Sequence, residues 1–329
     1  MRIMLACAIL GMTAVSARAA DDNRSFLNLT VENDYFADSD EGYTNGLRLS
    51  LLRPPGSRPF WAFLGLEHVP LIPKGSPLRY ETSLGQSMFT PRVITARRAD
   101  PLDRPYAGFA YMAFGVMAIS PANPGGHRRL DQLELTLGVV GPAALAGETQ
   151  RNWHSLIAAD RPEGWHGQLR NEPAINLGYR HSVRLPLRSA KGISADFTPH
   201  LGFAVGTVYD YVSAGATLRI GSDLPGLGVS RIEPAIPGSA YFDRFAKPHF
   251  YGFVGFDGRA VARNIFLDGN TFQSGPRVDK KIFVGDFDIG VVAVLKSVRL
   301  SYTHAFRTPE FVGQSRRSNF GSINVSVAL

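Results

Sequence analysis

Gln132-Leu133-Glu134-Leu135-Thr136-Leu137-Gly138-Val139 alternates apolar and polar or small residues without a break. A period of two belongs to a β-strand with one apolar and one polar face, not to a helix. The pattern recurs along the chain. Leu27, Leu29 and Val31 alternate with Asn28, Thr30 and Glu32. Val212, Ala214, Ala216 and Leu218 alternate with Ser213, Gly215, Thr217 and Arg219. Ile323, Val325, Val327 and Leu329 alternate with Ser322, Asn324 and Ser326. Gly, Pro and Asp punctuate the intervals, as turns require.

About 12 segments of this kind follow one another, each near the length a tilted strand needs to cross a bilayer. They start near Phe26, Tyr43, Leu78, Tyr106, Leu130, Ala174, Thr198, Tyr211, His249, Val278, Val298 and Arg317. An even number returns both termini to the periplasmic side. The expected fold is all-β: a closed antiparallel transmembrane β-barrel with a short helix in an extracellular loop. A secreted soluble β-sandwich would also alternate and is the rival architecture.

The first residues read as a secretory leader. Arg2 supplies the charge, Ile3 to Val15 the apolar run, and Ala17-Arg18-Ala19 a small-x-small cleavage signal. A spanning helix needs about 20 apolar residues, more than this run holds. A lipoprotein signal at Cys7 is a second alternative, but the apolar run continues past it. The expected organisation is a signal peptide over residues 1–19 and one barrel domain over 20–329. Cys7 is the sole cysteine, so the mature chain would have no disulfide framework. Charged residues make up 19%, low for a soluble domain, and no later stretch suits a spanning helix. A membrane protein without such helices must close its strands into a barrel, because hydrocarbon cannot satisfy backbone polar groups. The formal charge of +7 would suggest nucleic acid in a cytosolic protein. On an exported chain it suggests lipid phosphates or plain surface charge, so the expected partners are the outer membrane and its lipids, with no nucleic acid. A monomer is expected.

The pattern breaks from Gly141 to Glu172. Glu148 to Ala159 is compatible with a helix, with Trp153, Leu156 and Ile157 clustered, Pro142 before it, and Pro162 and Gly164 after it. Long ordered loops tend to carry function. With the termini in the periplasm, strand one ends outside at Glu32-Asn33-Asp34, and strand two begins there at Tyr43-Thr44-Asn45-Gly46. Gln86 to Pro91 and Asp103 to Gly108 meet the same rim. Parity turns Glu32, Thr44, Gly46 and Arg48 inward, with Asp34 if its strand continues, and leaves Asn33 outward.

Hydrolysis fits these residues. His154 has Gln150 one turn earlier on the same helix face, and a histidine near neutral pKa can act as a general base toward water. Asn33, Asp34 and Asp160 offer oxygens suited to a hard cation such as calcium, which could stabilise an oxyanion. Blander readings stand beside these. A lone loop histidine is usually a surface residue, Asp34 could start a turn, and Thr44-Asn45 could punctuate a hairpin. Arg104-Pro105 could be a corner. Arg92, Arg97 and Arg98 could be solvated or could meet lipid phosphates. His304 shares its face with Leu300 and Tyr302 and reads as an interfacial residue. No Gly-x-Ser-x-Gly elbow or His-Glu-x-x-His motif occurs.

Glu32-Asn33-Asp34-x-Phe36, Tyr43-Thr44-Asn45-Gly46-Leu47-Arg48-Leu49-Ser50, Gly85 to Pro91, Asp103 to Gly108, Gly147 to His154 and Gly164-Trp165-x-x-Gln168 together resemble the lipid A 3'-O-deacylase family of outer-membrane proteins. The resemblance runs through essentially the whole mature chain. It implies a twelve-stranded barrel and a calcium-dependent esterase that removes the 3'-linked acyloxyacyl chains of lipid A, by a mechanism like that of secreted phospholipase A2, in which a histidine activates water and calcium stabilises the oxyanion. Carried over, His154 matches the catalytic histidine, Asn33 and Asp34 the active-site Asn-Asp pair, and Thr44 a threonine opposite them. Gln150 joins the catalytic group. Asp34 and Asp160 are the expected metal ligands, with Asp160 standing where the characterised enzyme has a glutamate. The family's substrate-loop lysine has no counterpart here. Ala96 falls near its place, and Arg97, Arg98 and Arg104 are the expected substrate contacts. An outer-membrane phospholipase and a non-catalytic porin are the alternatives.

Overall fold

The computed structural model describes residues 23–34, 42–190, 192–222, 224, 226, 231–234, 236–239, 241–242 and 247–329. The expected leader, residues 1–19, lies outside them.

Twelve strands form one closed antiparallel barrel. They are β1 (Phe26–Asn33), β2 (Gly42–Leu52), β3 (Leu78–Thr90), β4 (Ala107–Ile119), β5 (Arg128–Val140), β6 (Glu172–Ala190), β7 (Ile193–Gly206), β8 (Tyr209–Gly221), β9 (His249–Asn264), β10 (Phe283–Leu295), β11 (Val298–Arg307) and β12 (Ser318–Ala328). Helix α1 (Ala146–Ile157) lies between β5 and β6, and the short α2 (Ile265–Asp268) follows β9. Closure is between first and last strands, with Leu27 opposite Val327 on one side and Leu51 on the other. No edge is left to seek a partner.

The alternation sorts as a membrane barrel demands. Leu27, Leu29, Leu47 and Leu49 are exposed on the outer wall, while Asn28, Thr30, Glu32 and Arg48 are buried in the lumen. Among the described residues the lumen is filled by a charged core. Arg48 bridges Glu81 at 3.1 Å and Glu134 at 2.5 Å. Arg307 bridges Asp286 at 2.8 Å and Glu233 at 3.1 Å.

Glu233 belongs to no strand. β8 ends and β9 begins on the periplasmic side, yet the described residues between them sit inside the barrel. Tyr241 and Phe242 pack on Phe26 near the periplasmic end. Ser239 donates its backbone N–H to Glu81, 3.0 Å away. Arg231 reaches Asp286 and Asp288. The described residues of this connection therefore fill the lumen as a plug, held there by charged pairs.

Two strand starts differ from expectation. β7 begins at Ile193, not near Thr198: its first inward residues include Asp196, which Arg184 and Arg219 each hold at 2.6 Å. β10 begins at Phe283, not near Val278, because the Val278 and Lys281 N–H groups go to Leu267 and Glu310 carbonyls in neighbouring loops.

Candidate active site

The rim chemistry lies on the outside of the barrel wall, where α1 is docked. Gly108 explains the docking. A Cβ there would stand 2.7 Å from Cβ of Ala146 and 3.2 Å from Cβ of Ala144. Gly108 pairs with Met88, and Met88 packs with Tyr106, Ala146 and Trp165. Gln86, on the same face of β3, donates to the carbonyl of Ala144 at 2.6 Å. Phe89, on the opposite face, stacks on Phe266 in the core.

Helix α1 is amphipathic in an unusual sense. Ala146, Gln150 and His154, four residues apart, are buried against the wall. Trp153, Leu156 and Ile157 are turned outward, with Leu156 77% exposed. A soluble protein would place these the other way round. Here the polar face is covered and the apolar face meets the outer leaflet. The helix spans Ala146–Ile157, two residues earlier at each end than the sequence suggests, and Leu145 and Ala158 cap it in left-handed conformations.

His154 Nδ1 lies 2.5 Å from the carbonyl oxygen of Asp160. A carbonyl only accepts, so Nδ1 carries the proton, and Nε2 of the neutral ring carries the lone pair. Asp160 thus meets His154 through its backbone carbonyl, while the residue itself is exposed. Gln150 is fixed in the same way. Trp165 Nε1 donates to its Oε1 at 2.6 Å. An indole N–H only donates, which identifies the Gln150 oxygen and leaves the amide NH2 as a buried donor without a protein acceptor. An unmet buried donor costs about 1–3 kcal/mol, so it is a natural place for a ligand oxygen.

Thr44 stands on the outer face too, contrary to simple parity. Tyr43 pairs with Phe89 and Asn45 with Met88, so Thr44 is the extra residue of a β-bulge. The bulge sends Tyr43 inward, against Phe89 and Phe320. It turns Thr44 toward Thr90, the two hydroxyls 2.6 Å apart. Thr90 shares its face with Gln86 and Met88. Both threonines are buried although they lie on the outer wall. Asn33 faces outward, as expected, opposite Asn45, whose Nδ2 donates to the Glu32 carbonyl at 3.0 Å. The strand ends at Asn33, which frees Asp34 from strand parity, and Asp34 is 1% exposed.

The structure thus gathers His154, Gln150, Thr44 and Asn33 on one face of one rim, with Asp34 buried beside Asn33. Sequence reasoning passed over Thr90, Gly108 and the fixing role of Trp165. The bulge that exposes Thr44 has no signature in the residues themselves.

Arg97 and Arg98 are exposed on the loop between β3 and β4. That loop is tied to the segment after α1, since the Ile94 carbonyl accepts from Tyr106 Oη at 3.0 Å and from the Glu163 N–H at 2.9 Å. Arg104 has a different setting from the one expected of a substrate contact. It is buried over the Phe89 ring and lies 3.4 Å from Glu310, at the mouth of the lumen. Among the described residues no three His, Cys, Asp or Glu side chains converge to hold a metal. The donors at the rim are oxygens: the Asp34 carboxylate and the Asn33 amide. They fit a hard divalent cation in kind, and one carboxylate points to modest affinity.

The sequence profile of the family described as "Outer membrane protein LpxR" matches residues 3–329. Comparison with curated proteins gives no match. Among solved structures, LpxR from Salmonella typhimurium superposes with a TM-score of 0.70 at 20% identity, covering 92% of this chain and 100% of that one. The β-domain of the Bordetella autotransporter BrkA gives a TM-score of 0.43 at 8% identity, covering 93% and 98%. The KdgM porin gives 0.40 at 6% identity, covering 92% and 99%. The first of these speaks for the fold, and the other two carry no further argument.

Proposed function

This chain belongs to the LpxR family of outer membrane proteins, the lipid A 3'-O-deacylases, and on that premise we propose that it is a calcium-dependent esterase that removes the 3'-linked acyl chains of lipid A in the outer leaflet. One observation carries the reading. Helix α1 presses Gln150 and His154 against the barrel wall while presenting Trp153, Leu156 and Ile157 to lipid. A polar, covered site thus opens on the leaflet that holds the substrate.

In this reading His154 Nε2 takes a proton from water as the water oxygen attacks the ester carbonyl carbon. The Asp160 carbonyl holds the ring in the required tautomer and stabilises the imidazolium. The Gln150 amide donates to the oxygen of the substrate carbonyl. As the tetrahedral carbon collapses, the imidazolium returns the proton to the departing sugar oxygen. Asn33 and Asp34 would hold calcium, which when bound supplies positive charge for the developing oxyanion. Thr44 and Thr90 line the wall beside them, and the exposed Arg97 and Arg98 would meet lipid A phosphates.

The plugged lumen speaks against a porin. The test is incubation of the purified protein with lipid A in calcium or in chelator, with products read by mass spectrometry. Release of the 3'-linked chains in calcium alone is expected. Intact lipid A in calcium would overturn the proposal, and faster loss of acyl chains from phosphatidylethanolamine would transfer it to phospholipid.

A further inference from the structure

Residues 53–77 join β2 to β3 on the periplasmic side, and they do not hang free there. They fold back onto the outer wall in two 3-10 turns, Phe60–Leu64 and Leu66–His68. Trp61, Ala62, Leu66 and Ile72 are buried against Tyr80, Phe114, Val116 and Leu133. These wall residues are on the outer face, since their neighbours Arg79, Glu81 and Glu134 fill the lumen. Trp61 meets Tyr80 edge-on and donates its indole N–H to Thr82 at 2.8 Å. Arg58 pairs with Glu67 across the turns. The segment is therefore built and braced.

Its other side is apolar and bare. Phe60 is 85% exposed, Phe63 80%, and Leu64 borders them. In a 3-10 helix residues i and i+3 eclipse, so Phe60 and Phe63 form one ridge, directed away from the wall that holds Trp61. Two bare phenylalanines on a braced turn would be a liability in water.

The height of the ridge identifies its medium. Asp131, Leu133 and Leu135 share the outer face of β5 in that order from the periplasmic end. The Asp131 carboxylate accepts from Tyr179 Oη and faces His181 Nδ1, each at 2.7 Å, a polar group that marks the headgroup level. Leu133 and Leu135 lie about 7 and 13 Å further along the strand, at the ordinary rise per residue. The turns cover Leu133 and pack beside Leu135. They thus reach past the polar level onto the hydrocarbon side, continuous with the leucines of the barrel's lipid belt. His68, closing the second turn, and Lys74, near the end of the segment, are exposed, where phospholipid phosphates would meet them.

We propose that this connection is a membrane foot: Phe60 and Phe63 insert into the periplasmic leaflet of the outer membrane and bind its phospholipid acyl chains, holding the barrel at a fixed depth. The inference is independent of the enzymatic reading.

The sole native cysteine permits a direct test. In a Cys7→Ala background, nitroxide labels are placed at Phe60→Cys, at Phe63→Cys, at Leu29→Cys as a belt reference and at His68→Cys as a waterline reference. The proteins are reconstituted into vesicles of phosphatidylethanolamine and phosphatidylglycerol, with folding checked by heat-modifiable mobility on gels. Collision rates with oxygen and with a water-soluble nickel chelate are then compared. The foot requires labels 60 and 63 to favour oxygen over nickel, as label 29 does, while label 68 favours nickel. Nickel access at 60 and 63 equal to that at 68 would overturn it. So would protection from both reagents, which would assign the ridge to a second copy or another protein.

Discussion

The carboxylate of Glu32 accepts the backbone N–H of Ile232 at 2.9 Å and that of Glu233 at 3.1 Å. Glu32 immediately precedes Asn33 and Asp34 at the outer end of β1, whereas Ile232 belongs to a connection whose ends are periplasmic. The loop that fills the lumen from below therefore grips the strand end that bears the candidate cation ligands. Glu32→Ala would leave two buried N–H groups without an acceptor, about 1–3 kcal/mol each. The expected result is a fall in deacylation of roughly tenfold or more, as 1.4 kcal/mol of misplacement implies. Folding, read by heat-modifiable mobility, is expected to persist. Unchanged activity would separate the plug from the site.

His154 and Asp160 should respond differently to truncation. His154→Ala removes the proposed base, and loss of general-base catalysis is expected to lower the rate by about 10²–10⁴. Asp160 contributes a backbone carbonyl, and its side chain is exposed. Asp160→Ala is therefore expected to retain most of the rate and the same calcium dependence. The check is a calcium titration of initial rates for both variants. A raised calcium requirement in Asp160→Ala would place its carboxylate on the metal after all.

Gly108→Val tests the seating of the helix. Even one carbon there would approach Ala146 to 2.7 Å. Overpacking costs about 1–3 kcal/mol, and the less costly response is for α1 to lift from the wall, because β4 is locked into the barrel. Activity should fall sharply while thermal unfolding of the barrel moves little. Crosslinking of α1 to β3 would report the lift.

The lumen predicts the opposite dissociation. Arg48→Met leaves Glu81 and Glu134 buried together without their cation. Breaking a buried pair in this way costs about 3–5 kcal/mol. The variant should unfold at a markedly lower temperature, and the double variant with Glu134→Gln should recover part of the loss.

These contrasts show what could be read from the sequence. Strand periodicity yields the barrel and its inward charges, because lipid on one side and a polar lumen on the other leave a direct imprint at every second residue. His154 and Gln150 could be placed on one helix face from spacing alone. The inner or outer position of the site could not be read, because it turns on one extra residue at Thr44 and on a missing Cβ at Gly108. The plug was equally hidden. Residues 231–239 carry no periodicity, and their partners Glu32, Glu81 and Asp286 are distant in sequence and read simply as lumen polar residues.

The outward face of α1 offers the sharpest test of how substrate arrives. Trp153 and Leu156 are exposed, whereas Gln150 and His154 on the same helix are buried, so the outward pair presents its apolar surface to lipid. Burial of one such side chain in an apolar medium is worth about 1.5–3 kcal/mol. If the helix recruits acyl chains laterally from the leaflet, Leu156→Asp should raise KM for lipid A in membranes by roughly tenfold or more, by the same conversion of free energy to affinity. Its kcat should stay near that of the parent protein, because the interaction is shared by ground and transition states. A short-chain soluble ester, which gains nothing from the leaflet, should be cleaved at an unaltered kcat/KM. Equal losses on both substrates would mean that Leu156→Asp disturbs His154 through the helix instead, and lateral recruitment would fall.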